Sequence, residues 1–160
     1  MALSRRDASY RLLMHFDLVD RVLEQSQDRI VTIKQVSAAE EYLQDHFPTF
    51  PVLPGVMMLE AMVQAGRRLL EARGVGGAGG LPFVLGQVRG LKYGCFVKPG
   101  DTLRVEVSVH KELEGKAVEF RGRALRVGPD SGPEDVEQVA VSGRFTLREA
   151  RIPNAPRRPR

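Results

Sequence analysis

The 160-residue chain holds one cysteine, Cys95, and no tryptophan. A single thiol excludes an intrachain disulfide, so nothing calls for an oxidising compartment. No apolar run approaches the roughly 18 residues a membrane span needs. The N-terminal Met1-Ala-Leu-Ser-Arg-Arg-Asp7 lacks the apolar core of a signal peptide, and a soluble cytoplasmic protein is the expectation. The remaining composition is ordinary, with 42% hydrophobic and 28% charged residues. At about 150 residues per domain this is one domain, long enough to bury a full core without staples.

Net charge is also missing from most of the chain. Lysine and arginine number 24 against 20 acids, a net charge of +4. Arg151, Arg157, Arg158 and Arg160 fall in residues 150–160 with no acid among them, so the rest of the chain is balanced. The domain is therefore expected over residues 1–149. Residues 150–160 form a basic tail, rich in proline and arginine, that is expected to be disordered. A neutral body argues against a nucleic-acid-binding domain, which usually presents a basic face.

β-Branched runs at 18–24 and 29–36 predict two strands, read as a hairpin. Ser37-Ala-Ala-Glu40 has capping-box spacing and predicts a short helix to about Leu43. Residues 46–54 contain three prolines and read as an ordered loop. Pro54 suits the first position of a helix that runs through 56–70. The first part of that helix is apolar on every side, as in a buried helix. Gly74–Gly80 reads as a flexible connector, since a phosphate loop would follow a strand. Strands are predicted at 83–93, 102–110, 116–127 and 139–147, with turns at Pro99-Gly-Asp101 and Gly128–Pro133. One helix followed by long strands predicts an α+β fold, an antiparallel sheet wrapped on a helix.

Glu60 breaks the apolar pattern of that helix, among Val56, Met57, Leu59 and Val63. A buried carboxylate is either a structural acid satisfied by hydrogen bonds or a functional group with a perturbed pKa. His46 lies in the proline-stiffened loop that leads into the same helix. A histidine and a carboxylic acid in one apolar pocket can divide general-base and general-acid roles. First-turn amides, including that of Gly55, have no intrahelical acceptor and could polarise a carbonyl oxygen. His15 and His110 show no ligand spacing, so a zinc site is not expected. Cys95 reads as a packing residue.

These residues resemble a family. His46-Phe-Pro-x-x-Pro-Val-Leu-Pro-Gly-Val56 followed by Leu59-Glu-Ala-Met-Val-Gln-Ala65 is similar to the signature of the FabZ-type 3-hydroxyacyl-[acyl carrier protein] dehydratases. Leu18-Val-Asp-Arg-Val22 resembles the family's first strand and Pro99-Gly-Asp101 its turn, so the similarity spans residues 16–148. The resemblance implies a hotdog fold, a long helix wrapped by a curved antiparallel sheet, dimerising through the sheet, with a trimer of dimers left open. It implies His46 as catalytic base, Glu60 of the other subunit as acid, and the Gly55 amide at the thioester carbonyl. The implied reaction dehydrates 3-hydroxyacyl thioesters on acyl carrier protein, with no metal or redox cofactor. A related hotdog hydratase or thioesterase, and a catalytically weak acyl-binding partner subunit, are the alternatives.

Three departures from the family pattern stand out. Asp45 replaces the usual glycine before the histidine and, if close, would raise the pKa of His46. Leu12-Leu-Met-His15 replaces a His-Arg-x-Pro segment. Gly94-Cys95 replaces a basic pair that would meet acidic carrier protein. Lys92, Lys98, Arg157 and Arg158 remain as carrier-docking candidates.

Overall fold

The computed structural model describes residues 16–75, 81–132 and 136–150. Strands β1 (Arg21–Gln25) and β2 (Arg29–Gln35) form an antiparallel hairpin. A single long helix, α1 (Gly55–Ala72), follows the proline loop. Four longer strands complete the chain: β3 (Phe83–Tyr93), β4 (Thr102–Leu113), β5 (Ala117–Val127) and β6 (Gln138–Glu149). All pair antiparallel in one six-stranded sheet of order β1-β2-β4-β5-β6-β3. The α+β prediction and its four long strands match this architecture.

One face of the sheet packs on α1. Leu103, Val105 and Val107 of β4 are buried, while Arg104, Glu106 and Ser108 between them are partly exposed, the period-2 pattern of a half-buried strand. Phe120 of β5 stacks on Phe145 of β6 at 5.3 Å beneath the helix. The backbones come close where side chains are absent. A β-carbon at Gly122 would lie 2.6 Å from Met62 Sδ, and one at Gly66 would lie 3.2 Å from Leu147.

Several local predictions shift. Strand β1 begins at Arg21, because Leu18 and Val19 are buried beside the helix rather than paired in the hairpin. Pro54 precedes α1 instead of opening it. Its φ of −58° and ψ of 139° are extended, and its carbonyl accepts from Met57 and Met58 at 2.9 and 3.2 Å. The helix predicted from Ser37 is only a 3₁₀ turn at Glu41–Leu43. Ser37 Oγ accepts from Ala39, and the Glu40 carboxylate reaches Lys34 Nζ at 2.8 Å instead of closing a capping box. Beyond Ala150, the tail with Arg157 and Arg158 lies outside the described residues, as do 76–80 of the glycine run, residue 133 of the last turn and Leu12–His15.

Asp101 fixes the Pro99-Gly-Asp101 turn. Its buried carboxylate accepts from the Lys98 amide at 2.9 Å and from Arg126 Nε at 2.8 Å, and this bond raises the pKa of Arg126 further. Gly100 supplies the turn's positive φ of 96°. Among the described residues no helix is long and apolar enough to cross a membrane.

At the end of β3, Gly94 donates to Ala140 O, and a β-carbon here would lie 2.1 Å from the Val139 carbonyl oxygen. The obstacle is backbone, so a side chain needs β6 to move. This explains physically why no basic residue occupies the position. Gly94→Ala should destabilise the chain by about 1–3 kcal/mol, the usual cost of overpacking, measured by urea unfolding. A neutral result would show that β3 can leave β6 there without loss.

Candidate active site

The loop carrying His46 is held by reciprocal bonds. The His46 carbonyl accepts from the Val52 amide at 2.9 Å, and His46 Nδ1 lies 3.0 Å from the Val52 carbonyl. A carbonyl oxygen only accepts, so Nδ1 carries the hydrogen and Nε2 of the neutral ring keeps its lone pair. The ring stacks on Phe47 at 4.4 Å, across a cis His46–Phe47 peptide. Phe47 and Phe50 exchange backbone bonds at 3.0 and 3.2 Å, and the Leu53 amide reaches Val97 O at 2.8 Å. The rigid loop predicted from its prolines is thus tied to itself and to the residues after β3.

Glu60 is less buried than its apolar neighbours suggested. Its side chain is 34% exposed. Oε1 accepts from Gln64 Nε2 at 3.1 Å and from Arg67 at 3.3 Å, while Oε2 has no partner among the described residues. The surrounding helix surface is also open at Val56, which is 66% exposed. The apolar pattern therefore continues onto a face that the chain's own sheet leaves uncovered.

Gln64 and Arg67 were not singled out from sequence, although their spacing of four and seven from Glu60 puts them on the same helix face. Gln64 is 3% exposed. Its Oε1 accepts from the Leu18 amide at 2.8 Å, and its Nε2 also donates to Phe16 O at 3.2 Å. Arg67 Nε donates to Phe83 O at 2.9 Å. Glu60 is therefore held through one residue pinned to the entry segment and another pinned to β3.

Gly55 opens α1, and among the described residues no acceptor meets its amide. The Tyr93 ring covers its α-carbon: a β-carbon would lie 2.6 Å from Tyr93 Cε1. Tyr93 is a third residue that sequence reasoning left unassigned. Asp45 is exposed, with no hydrogen bond or ion pair to His46. Lys98 Nζ sits 5.0 Å over the Phe50 ring, a cation–π contact at the His46 loop. Lys92 instead lines the sheet face remote from α1, so the two docking candidates do not share a surface. Cys95 is half-buried and burial pushes its thiol pKa up, against a nucleophilic role. Within the protomer no bond joins His46 to Glu60.

A long helix on this sheet, with the histidine loop at its N-terminus, defines the hotdog class. Solved structures agree on the fold. The ApeI:P dehydratase heterocomplex from Xenorhabdus doucetiae superposes with a TM-score of 0.62 at 18% identity, covering 84% of each chain. An acyl-CoA hydrolase from Bacillus cereus gives 0.57 at 17% identity, covering 81% of this chain and 70% of that one. Sequence comparison is narrower. Residues 12–127 match the FabA-like domain. The 3-hydroxyacyl-[acyl-carrier-protein] dehydratase FabZ of Pelotomaculum thermopropionicum is 44% identical over 131 residues, covering 79% of this chain and 88% of that protein. The Thermus thermophilus FabZ is 38% identical over 135 residues, covering 84% and 89%. The chain belongs to the FabA-like family, among its FabZ-type members.

Gln64→Met keeps the side-chain volume and removes all three hydrogen bonds. It leaves the Leu18 amide and the Phe16 carbonyl without their partner. We expect a loss of about 1–3 kcal/mol in urea unfolding. Unchanged stability would mean that the entry segment is not anchored through Gln64.

Proposed function

We propose that the chain dehydrates 3-hydroxyacyl thioesters carried on acyl carrier protein to trans-2-enoyl thioesters. The observation that carries this reading is the trio of prepared groups: the His46 Nε2 lone pair, the open Oε2 of Glu60 and the uncommitted Gly55 amide. His46 Nε2 removes the C2 proton. The C2–H electron pair forms the C2=C3 double bond as the C3–O bond breaks. Glu60, carrying a proton on Oε2, gives it to the departing hydroxyl directly or by way of a water, so water leaves, and the proton held by His46 then returns to Glu60 to reset the pair. The Gly55 amide donates to the thioester oxygen, where negative charge develops.

The reading assigns His46 and Glu60 to one site from two subunits of a homodimer paired along β3. The outer edge of β3 supports this, because among the described residues the 11-residue strand pairs with β6 alone. A long unpaired edge is a template for another strand. The exposed Phe47, Val56, Tyr93 and Phe96 beside the histidine loop give a second support, as surface that a partner or an acyl chain would cover. Lys98 fits a carrier-docking role. Lys92 does not, because it faces away from Tyr93 and the histidine loop.

His46→Ala and Glu60→Gln should each lower dehydration of a 3-hydroxyacyl carrier substrate by about 10²–10⁴-fold. Full activity in either variant overturns the assignment. Hybrid dimers of the two variants should recover part of the activity, because one of their two sites is intact. Verified hybrids that stay inactive would remove the shared site and leave the residue assignments to the single variants.

Asp45→Gly tests the neighbouring charge. A nearby carboxylate would raise the base's pKa, so its removal would shift the alkaline-favoured rate rise to lower pH. Asp45 is exposed and unbonded to His46, so the pH–rate profile should stay in place. A shift of about one unit would show that the charge reaches the ring.

A further inference from the structure

The sheet face remote from α1 carries a depression of about 580 Å³ whose lining includes six cationic side chains and one acid. Strand register explains the density of charge. Arg29 pairs with Ser108, Ser108 with Arg121, Arg121 with Arg144, and Arg144 with Arg89. Four arginines thus share one row across five strands, and three of them stand on adjacent strands. In the next row Arg123 pairs with Ser142 and Ser142 with Lys92. Arg89 and Lys92 are three residues apart and would alternate to opposite faces of a regular strand. The register shift between them, at Gly90 with its φ of 59°, brings both into the depression.

Arg29 is paired with Glu24 and Glu106, and Arg123 with Glu106 and Glu137, but the protein does not neutralise the rest of this charge among the described residues. Glu106, the acid in the lining, is taken by Arg123 at 3.0 Å, Arg29 at 3.5 Å and Arg104 at 3.5 Å. Arg89, Lys92, Arg121 and Arg144 have no carboxylate within ion-pair distance among the described residues. Like charges directly opposite on neighbouring strands are destabilising, so a counter-anion would relieve a cost that the free chain bears. The backbone of Gly90, Gly122 and Gly143 forms part of the floor, and the Ser108 and Ser142 hydroxyls border it with no protein partner among the described residues.

We infer that this depression binds a small ligand carrying two or more linked phosphates, held by the guanidinium groups of Arg89, Arg121 and Arg144. Arginine's planar fork matches phosphate oxygens in pairs. The lining excludes other occupants. Its one apolar side chain, Val107, cannot house an acyl chain, and no aromatic residue offers the stacking surface that single-stranded nucleic acid uses. A concavity within the range of small-molecule sites also favours a compact ligand over a protein surface. The pairing proposed along β3 uses the strand's edge and leaves this face open.

Inorganic tripolyphosphate, titrated calorimetrically into the full chain, provides the test. One site per chain is expected, with affinity reduced at least about tenfold in Arg121→Gln/Arg144→Gln. Arg157→Gln/Arg158→Gln, which alters the tail alone, should bind as the parent does. In the absence of ligand the Arg121→Gln/Arg144→Gln variant should melt above the parent. Tripolyphosphate should raise the parent's melting temperature and leave that variant's in place. Equal binding by that variant, or loss of binding in the tail variant, overturns the site. Tighter binding of polyuridylate RNA or polyglutamate than of tripolyphosphate also overturns it, in favour of a macromolecular surface. Binding is read without turnover, and dehydration by Arg121→Gln/Arg144→Gln should match the parent, so this result is separable from the proposed activity.

Discussion

Helix α1 lies so close to the sheet that Met62 occupies the space above Gly122, while Gly66 admits Phe145 and Leu147 against the helix backbone. That contact fixes the helix's rotation as well as its distance. With Met62, Ala65, Gly66 and Leu69 turned to the sheet, 3.6-residue geometry leaves Val56, Glu60 and Arg67 on the flank. A bulkier residue at Gly122 or Gly66 would lift the helix or turn it, and Glu60 would move with it. The position of the carboxylate is therefore set by packing on the far side of its own helix.

Polar contacts then refine what packing places. Gln64 is buried and makes three hydrogen bonds, one of them to Glu60. Such a group is costly to bury unless all its partners are present. It couples the entry segment at Phe16–Leu18 to the acid across more than forty residues of sequence. The histidine is positioned by different means: prolines limit the loop, and the Val52 carbonyl selects the ring's tautomer. The two groups are prepared independently and meet in no bond within one chain. That separation is what a site completed by a second copy requires.

How much of this was legible in the sequence depended on how local the cause was. Strand β4 announced itself through strict alternation, and α1 through its apolar run after Pro54. The histidine loop and the helix start were readable because proline restricts the backbone at its own position. The Ser37 helix failed because the capping signal competed with Lys34, six residues back on β2, which took the Glu40 carboxylate. Glu60 was read as buried because an apolar helix face looks the same whether its cover is its own sheet or something else. Gln64 and Arg67 carried a spacing signal, but their partners Phe16, Leu18 and Phe83 are specified only by the fold.

Charge shows the same limit most sharply. The body of the chain is neutral by count, and the count is correct, yet the sheet separates the signs. Asp20, Glu40, Glu60 and Glu112 lie away from the depression, where Glu106 is the one acid in the lining and pairing register collects the arginines. Strand β3 governs both surfaces. Tyr93 covers Gly55 beside the histidine loop, and its neighbour Lys92 joins the outer cations. The bulge at Gly90 determines this assignment, because adding or removing one residue in a strand exchanges the faces of everything beyond it. Straightening β3 would turn Lys92 toward the site and Tyr93 away from Gly55. A single glycine conformation thus sets which chemistry each face of the strand presents.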